Sequence, residues 1–123
     1  MEIINKDEAF RIIGAAMEVH QQLKNGFLEE VYQEALEREF VLQNIPFESQ
    51  KLLRISYKGS EMDHFYKADF MCFDKIVVEI KATSEIGAPH IAQMVNYLKC
   101  TGCKLGLLIN FGEESLKFKR IVL

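Results

Sequence analysis

A basic excess, a long apolar run and a paired set of cysteines are all missing from this chain. Its 15 lysines and arginines are outnumbered by 18 aspartates and glutamates, for a formal charge of −3. That argues against broad non-specific binding to nucleic acid, which shows as a basic excess. It leaves open an enzyme whose acids are metal ligands. No apolar run approaches the roughly 20 residues of a membrane helix, and "MEIINKDEAF" has none of the regions of a signal peptide. The expectation is therefore a cytoplasmic protein with no membrane partner. Three cysteines are an odd count, against a disulfide framework. Cys100 and Cys103 form a CxxC, but at a helix end across a Thr101-Gly102 turn. A redox CxxC opens a helix, where the dipole lowers the thiol pKa, so small apolar residues flanking a turn is the favoured reading. Without a second CxxC or a histidine pair, zinc is not expected. Prolines number only two, and no linker, repeat or low-complexity segment interrupts the chain. At 123 residues it is read as one domain, 1–123, able to bury about two-thirds of its unfolded surface.

What is present reads as α-α-β-β-β-α-β-β. From Asp7 to Leu23 apolar residues recur at helical spacing (Phe10, Ile13, Ala16, Met17, with Ile12 and Val19), and Asn25-Gly26 stops the helix. A second helix over Leu28–Gln43 turns Leu28, Val31, Tyr32, Ala35, Leu36 and Phe40 inward and ends at "NIP". "SQKLLRISYKG", "HFYKADFMCF" and "KIVVEIKA" read as strands, the last two as a hairpin around Phe73-Asp74-Lys75. "APHIAQMVNYLKC" is helical, with Ile91, Met94, Val95 and Leu98 buried, and "KLGLLINF" and "LKFKRIVL" are strands. The fold class is α/β, a mixed sheet flanked by helices.

The segment "IVVEIKA" at 76–82 sets the chemical question, because it has the branched apolar residues of a strand buried on both faces yet carries Glu79 and Lys81. Burying an unpaired charge is expensive. Alternation puts Val77, Glu79 and Lys81 on one face. A two-residue turn at Asp74-Lys75 would set Asp69 opposite Ile80, whereas a three-residue loop, Phe73 to Lys75, sets it opposite Glu79 and gathers Asp69, Glu79 and Lys81. If the three act together, the loop is odd or the hairpin bulged. Facing carboxylates become favourable around a hard cation such as Mg²⁺, and a lysine beside them suits attack on a phosphodiester. On spacing alone, a solvent-facing ion pair of Lys81 with Glu79 or Asp69 is the simpler alternative.

Asp69, nine intervening residues and Glu79-Ile80-Lys81 resemble the D…ExK signature of the PD-(D/E)XK nuclease superfamily, with "AD" where the name has "PD". "GFLEEVY", with Gly26, Glu29 and Tyr32, resembles the motif of the GxxExxY family, a small branch of it. Gln93 and Tyr97 in "QMVNY" are similar to the QxxxY of several of its exonuclease branches, and the ending "GLLINFG…SLKFKRIVL" also looks like the family. The resemblance implies a restriction-endonuclease-like core and a metal-dependent nuclease. Mg²⁺ or Mn²⁺ would be held by Asp69, Glu79 and the carbonyl of Ile80, with Lys81 as catalytic lysine and Glu29 as a helix carboxylate joining the site. Periodicity agrees for Glu29, which lines up with Tyr32, Leu36 and Phe40 on the inward face, while Glu30, Gln33, Glu34 and Glu37 take the solvated one.

Gln93 and Tyr97, at i and i+4, either complete the site or form an ordinary surface pair. His20 reads as a satisfied core histidine, and Lys117, Lys119 and Arg120 as a solvated face of the last strand. The expected partner is nucleic acid, DNA ahead of RNA, with specificity from a homodimer or a partner protein because the chain is small. Two alternatives remain: a nucleic-acid-binding or protein-interaction module without turnover, and a thiol redox protein using Cys100 and Cys103.

Overall fold

The run Ile76–Lys81 forms the central strand, and everything else is arranged to cover it. A computed structural model describes residues 3–123. In chain order the elements are α1 (Lys6–Leu23), α2 (Glu29–Leu42), β1 (Phe47–Tyr57), β2 (Ser60–Cys72), β3 (Ile76–Lys81), α3 (Ala88–Thr101), β4 (Leu105–Asn110) and β5 (Lys117–Val122). The sheet order is β1-β2-β3-β4-β5, antiparallel except for the parallel pair β3–β4. That parallel pair needs a crossover, and α3 supplies it. The result is the expected mixed sheet flanked by helices.

Alternation along β3 decides which helix covers which face. Ile76, Val78 and Ile80 pack with Phe70, Leu105, Leu107 and the apolar stripes of α1 and α2. Val77 joins Leu108, Met94, Tyr97 and Leu98 under α3. The fit on that second face is close: a Cβ on Gly106 would stand 2.3 Å from the Met94 sulfur. β4 is buried at all six positions, as a strand covered on both faces must be.

The helical stripe is narrower than periodicity predicts. Phe10 and Met17 were expected inward on α1, yet they are 79% and 51% exposed. The buried residues of α1 are Ala9, Ile12, Ile13, Ala15, Ala16, Val19 and His20, a band of small and branched side chains that lets α1 lie close to α2. Phe10 and Met17 fall beside that band and line an open apolar depression of about 320 Å³ against Phe118. Leu28 and Val31 are likewise exposed rather than inward, because Leu28 precedes the first turn of α2 and only Tyr32, Leu36 and Phe40 face the sheet. No helix among the described residues is long and apolar enough to cross a membrane.

Candidate active site

Loop length places the acids. β2 and β3 are joined by Phe73, Asp74 and Lys75, with Cys72 opposite Ile76, Met71 opposite Val77 and Phe70 opposite Val78. Phe73 and Asp74 take left-handed φ of 55° and 58° to close the loop. The odd loop is the one needed to bring Asp69 level with Glu79.

At Asp69 the backbone ladder stops and side chains take over. The Asp69 N–H donates to Glu79 Oε2 at 2.5 Å, and the Ile80 N–H donates to Asp69 Oδ2 at 2.9 Å. The alternation of β2 also breaks there. Phe70 and Cys72 pack toward α1 and α2, whereas Ala68 and Tyr66 pack toward α3. Gln50, across from Asp69 on β1, adopts a φ of 53°. The hairpin is thus both odd-looped and irregular at the one residue where the site needs it. Because N–H and C=O of one strand residue point to the same edge, the Ile80 carbonyl faces the opening between β2 and β3.

Both carboxyls are held above their ordinary range. Burial drives Glu79 up to about 8, with the Asp69 charge adding to it. Burial also raises Asp69, against the Ile80 N–H and the Lys81 charge, which pull it down. Two desolvated carboxyls this close titrate as a pair and resist carrying two charges. Glu79 is only 3% exposed. Lys81 lies at the end of the same strand and donates from Nζ to Gln93 Oε1 at 3.2 Å, so the simple exposed ion pair does not form.

The flanking helices deliver the remaining residues. Tyr97 is buried, its ring tilted by 40° against that of Tyr66 with centroids 5.2 Å apart, and burial with the Glu79 and Asp69 charges raises its hydroxyl to about 12. Glu29, the first residue of α2, is exposed rather than inward. It stands at the mouth of the site, where desolvation first and then the Asp69 charge raise its pKa, with Lys81 opposing them. Gly26 (φ 118°) shapes the turn before α2. Tyr32 braces that turn: its hydroxyl donates to the Lys24 carbonyl at 2.5 Å and accepts from the Phe27 N–H at 3.3 Å. Of "GxxExxY", then, the glycine and tyrosine hold the loop and the glutamate is what the loop presents.

Two supporting residues were not legible beforehand. Gln33, read as part of the solvated face, donates to the Asp69 carbonyl at 3.3 Å and to Ser49 Oγ at 3.0 Å, because the bend in β2 carries that carbonyl toward α2. Asn110 is fully buried at the end of β4. Its Oδ1 accepts from the Thr83 and Gly112 N–H groups, both at 3.1 Å, and its Nδ2 donates to the Thr83 carbonyl at 3.0 Å. It ties the exits of β3 and β4 together beneath the site. The one available signal was an asparagine closing the apolar run "LGLLIN".

The other singled-out residues lie outside this cluster. His20 is buried, with Nε2 3.0 Å from the Glu113 carbonyl and its ring stacked on Phe111. Cys100 lies in the last turn of α3 with its thiol donating to the Arg54 carbonyl, and its pKa is raised by burial. Cys103 follows the Gly102 turn, as the structural reading of CxxC expects. Lys117 and Lys119 are exposed on β5, and Arg120 donates to the Ile4 carbonyl at 2.8 Å.

Whether this set suits a divalent ion is a matter of donor chemistry. Among the described residues, no three histidine, cysteine or acidic side chains converge as a ligand set. The donors are the Asp69–Glu79 pair and the Ile80 carbonyl, all hard oxygens of the kind Mg²⁺ and Mn²⁺ prefer. The pair's mutual repulsion is the feature such a cation would remove, so the residues fit.

A mixed sheet flanked by helices, with an acid pair and a lysine at the ends of its inner strands, is the restriction-endonuclease-like arrangement. The chain belongs to the PD-(D/E)XK nuclease superfamily, whose sequence pattern matches residues 6–121. Nucleases of that superfamily generally use divalent metal ions. Among solved structures, the chain is similar in fold to that titled "Crystal structure of SSO0001", with a TM-score of 0.60 and 22% identity. The similarity covers 76% of this chain and 50% of that one, so the chain spans about half the length of this relative. No curated protein is significantly similar to it in sequence.

Proposed function

We propose that the protein is a metal-dependent nuclease that hydrolyses phosphodiester bonds of DNA, within the GxxExxY branch of its superfamily. The observation that carries this is the pairing of buried Glu79 with half-buried Asp69, held face to face by an odd hairpin loop with Lys81 beside it. A sheet has no structural use for two facing carboxyls whose pKa values burial forces upward. Mg²⁺ or Mn²⁺ on Asp69, Glu79 and the Ile80 carbonyl would supply Lewis acidity at the phosphate and lower the pKa of an attacking water.

The chain's own residues do the rest. Asp69 and Glu79 would act as carboxylates, each steadied by the backbone N–H it already accepts. Lys81, kept in place by Gln93, directs its ammonium at the phosphate and offsets charge gathering on its oxygens. Tyr97 keeps its proton throughout the neutral range and serves as a hydrogen-bond donor. Glu29 at the mouth accepts the proton that the water releases. This reading also treats residues 1–123 as one domain, with both helical layers contributing to one site.

Calorimetry with Mn²⁺ and Mg²⁺, run beside cleavage assays on DNA and RNA, tests the reading. Wild type is expected to bind metal and cleave. Asp69→Ala and Glu79→Ala are each expected to lose both. Lys81→Ala is expected to bind metal normally and to cleave about 10²- to 10⁴-fold more slowly. Undiminished cleavage by all three variants would sink the assignment. Nucleic-acid binding with neither metal uptake nor cleavage in the wild type would replace it with a binding module.

A further inference from the structure

One residue of β1 has a backbone that a strand does not explain. Among the described residues, seven that are not glycine take positive φ. Six of them sit where the chain turns: Asn5 and Lys24 flank α1, Asn44 follows α2, and Lys58, Phe73 and Asp74 lie in the two hairpin loops. Gln50, at φ 53°, lies inside β1. The β1–β2 ladder pairs Ser49 with Phe70 and Lys51 with Ala68 but skips the level between, where Gln50 stands across from Asp69. Both strands change faces at that level. On β2, Phe70 packs toward α1 and α2 and Ala68 toward α3; on β1, Phe47 packs with the former group and Leu53 with the latter. Strict alternation would have put Phe47 and Leu53 on one face.

The left-handed backbone at Gln50 accompanies that reversal, but the reversal does not account for a glutamine. Glycine takes this φ without strain, and asparagine adopts it more readily than most residues. A longer side chain adds strain that something must offset. Packing does not offset it, because Gln50 is exposed. Its side chain acts instead on Asp69. Burial raises the Asp69 carboxyl, while the Ile80 N–H, the Lys81 charge, Glu79 and the Gln50 side chain pull it back, the last as a hydrogen-bond partner. Asp69 therefore has a donor from each neighbouring strand: the Ile80 N–H of β3, 2.9 Å from Oδ2, and the Gln50 amide of β1. One donor leaves a carboxyl some freedom to rotate about its Cβ–Cγ bond. A second, from the opposite strand, removes it.

Resting on the metal site of the nuclease reading, we propose that Gln50 is the positioning residue of Asp69: its amide, presented by a left-handed backbone inside β1, fixes the rotation of the carboxyl that would bind Mg²⁺ or Mn²⁺. Hydrogen bonds that orient a ligating carboxylate are worth roughly 10- to 100-fold in metal affinity or activity. In this role Gln50 touches neither the ion nor the phosphate and acts only through Asp69.

The test compares two variants of the full chain with wild type. Gln50→Gly removes the side chain and the strain together, whereas Gln50→Met keeps a similar length and the strain and removes the donor. Urea unfolding in EDTA reads the fold, calorimetry with Mn²⁺ reads the site, and cleavage of duplex DNA is followed at limiting and at saturating Mn²⁺. Both variants are expected to bind Mn²⁺ about 10- to 100-fold more weakly than wild type. Gln50→Gly is expected to unfold at no lower a urea concentration than wild type, since glycine accepts φ 53°. Cleavage is expected to fall with metal occupancy and to return to within a fewfold of wild type at saturating Mn²⁺, with KM for DNA unchanged. Wild-type Mn²⁺ affinity in both variants overturns the proposal and leaves Gln50 as a device for reversing the strand. So does weakened binding in only one of the two, binding lost in step with stability in both, or a raised KM at unchanged metal affinity, which would make Gln50 a substrate contact. The wild type reports separately on the nuclease reading. Mn²⁺ uptake without cleavage removes that reading and leaves the role of Gln50 to the affinities, and no Mn²⁺ uptake removes both.

Discussion

Glu79 carries more consequence than any other side chain in this protein. A carboxyl near 4.5 when unfolded and about 8 when folded binds more protons in the folded state between those values. Stability linked to it is therefore fully present below about pH 4.5 and is lost as pH rises toward 8, the reverse of an ion-paired acid. Asp69, raised by the same burial, adds in the same direction. In EDTA, urea-unfolding midpoints of the wild type are expected to fall between about pH 5 and 8, and Glu79→Gln is expected to flatten that decline. A wild-type midpoint that rises over this range would show that the pair is already charge-compensated without metal. Lys81 is the second residue of consequence, and its test is the separation of metal uptake from cleavage described above.

Among the elements, the hairpin loop and the α1–α2 turn decide whether the site exists. The sequence left the loop open between two and three residues, and the three-residue answer rests on Phe73 and Asp74 entering left-handed φ, which neither residue type announces. The turn is a clearer case of a motif legible as a pattern but not in its division of labour. Tyr32 in "GFLEEVY" supports the loop through its hydroxyl, while Glu29 alone reaches the site. Tyr32→Phe is accordingly expected to cost about 1 kcal/mol by chemical denaturation and to leave Mn²⁺ affinity within a fewfold of wild type. Loss of metal binding with stability intact would instead make Tyr32 part of the site. Gly112 gives a harsher test. A Cβ there would lie 2.2 Å from the Thr83 carbonyl oxygen, against backbone that has no room to yield. Gly112→Ala is expected to destabilise by about 1–3 kcal/mol and to weaken metal binding, because the exits of β3 and β4 must part. Gln33 and Asn110 were hidden for a related reason: each acts on a backbone carbonyl or N–H whose position only the bend in β2 or the close of β4 defines.

At the scale of the whole molecule, order and composition made the fold readable while the surfaces stayed obscure. Alternating helices and strands with a continuous apolar run at each inner strand specify a covered mixed sheet. Nothing in periodicity distinguishes Phe10, which is exposed, from Ile13, which is buried, since both fall within the same broad stripe. At the centre of the molecule two carboxyls, the buried Glu79 and the half-buried Asp69, face each other, and burial raises the pKa of both. On the nuclease reading, metal and protons compete for this pair, and the competition is expected to read out in global stability. An ion that binds only the folded chain stabilises it by RT ln(1 + [L]/Kd), about 2.7 kcal/mol at a hundredfold excess over Kd. Mn²⁺ is expected to raise the unfolding midpoint of the wild type by more at pH 8 than at pH 6, because at pH 6 the ion must first displace the pair's proton. The same titration is expected to leave Asp69→Asn and Glu79→Gln unmoved at both pH values. A shift of equal size in those variants would place the ion elsewhere on the protein, and the buried pair would then need an explanation in folding alone.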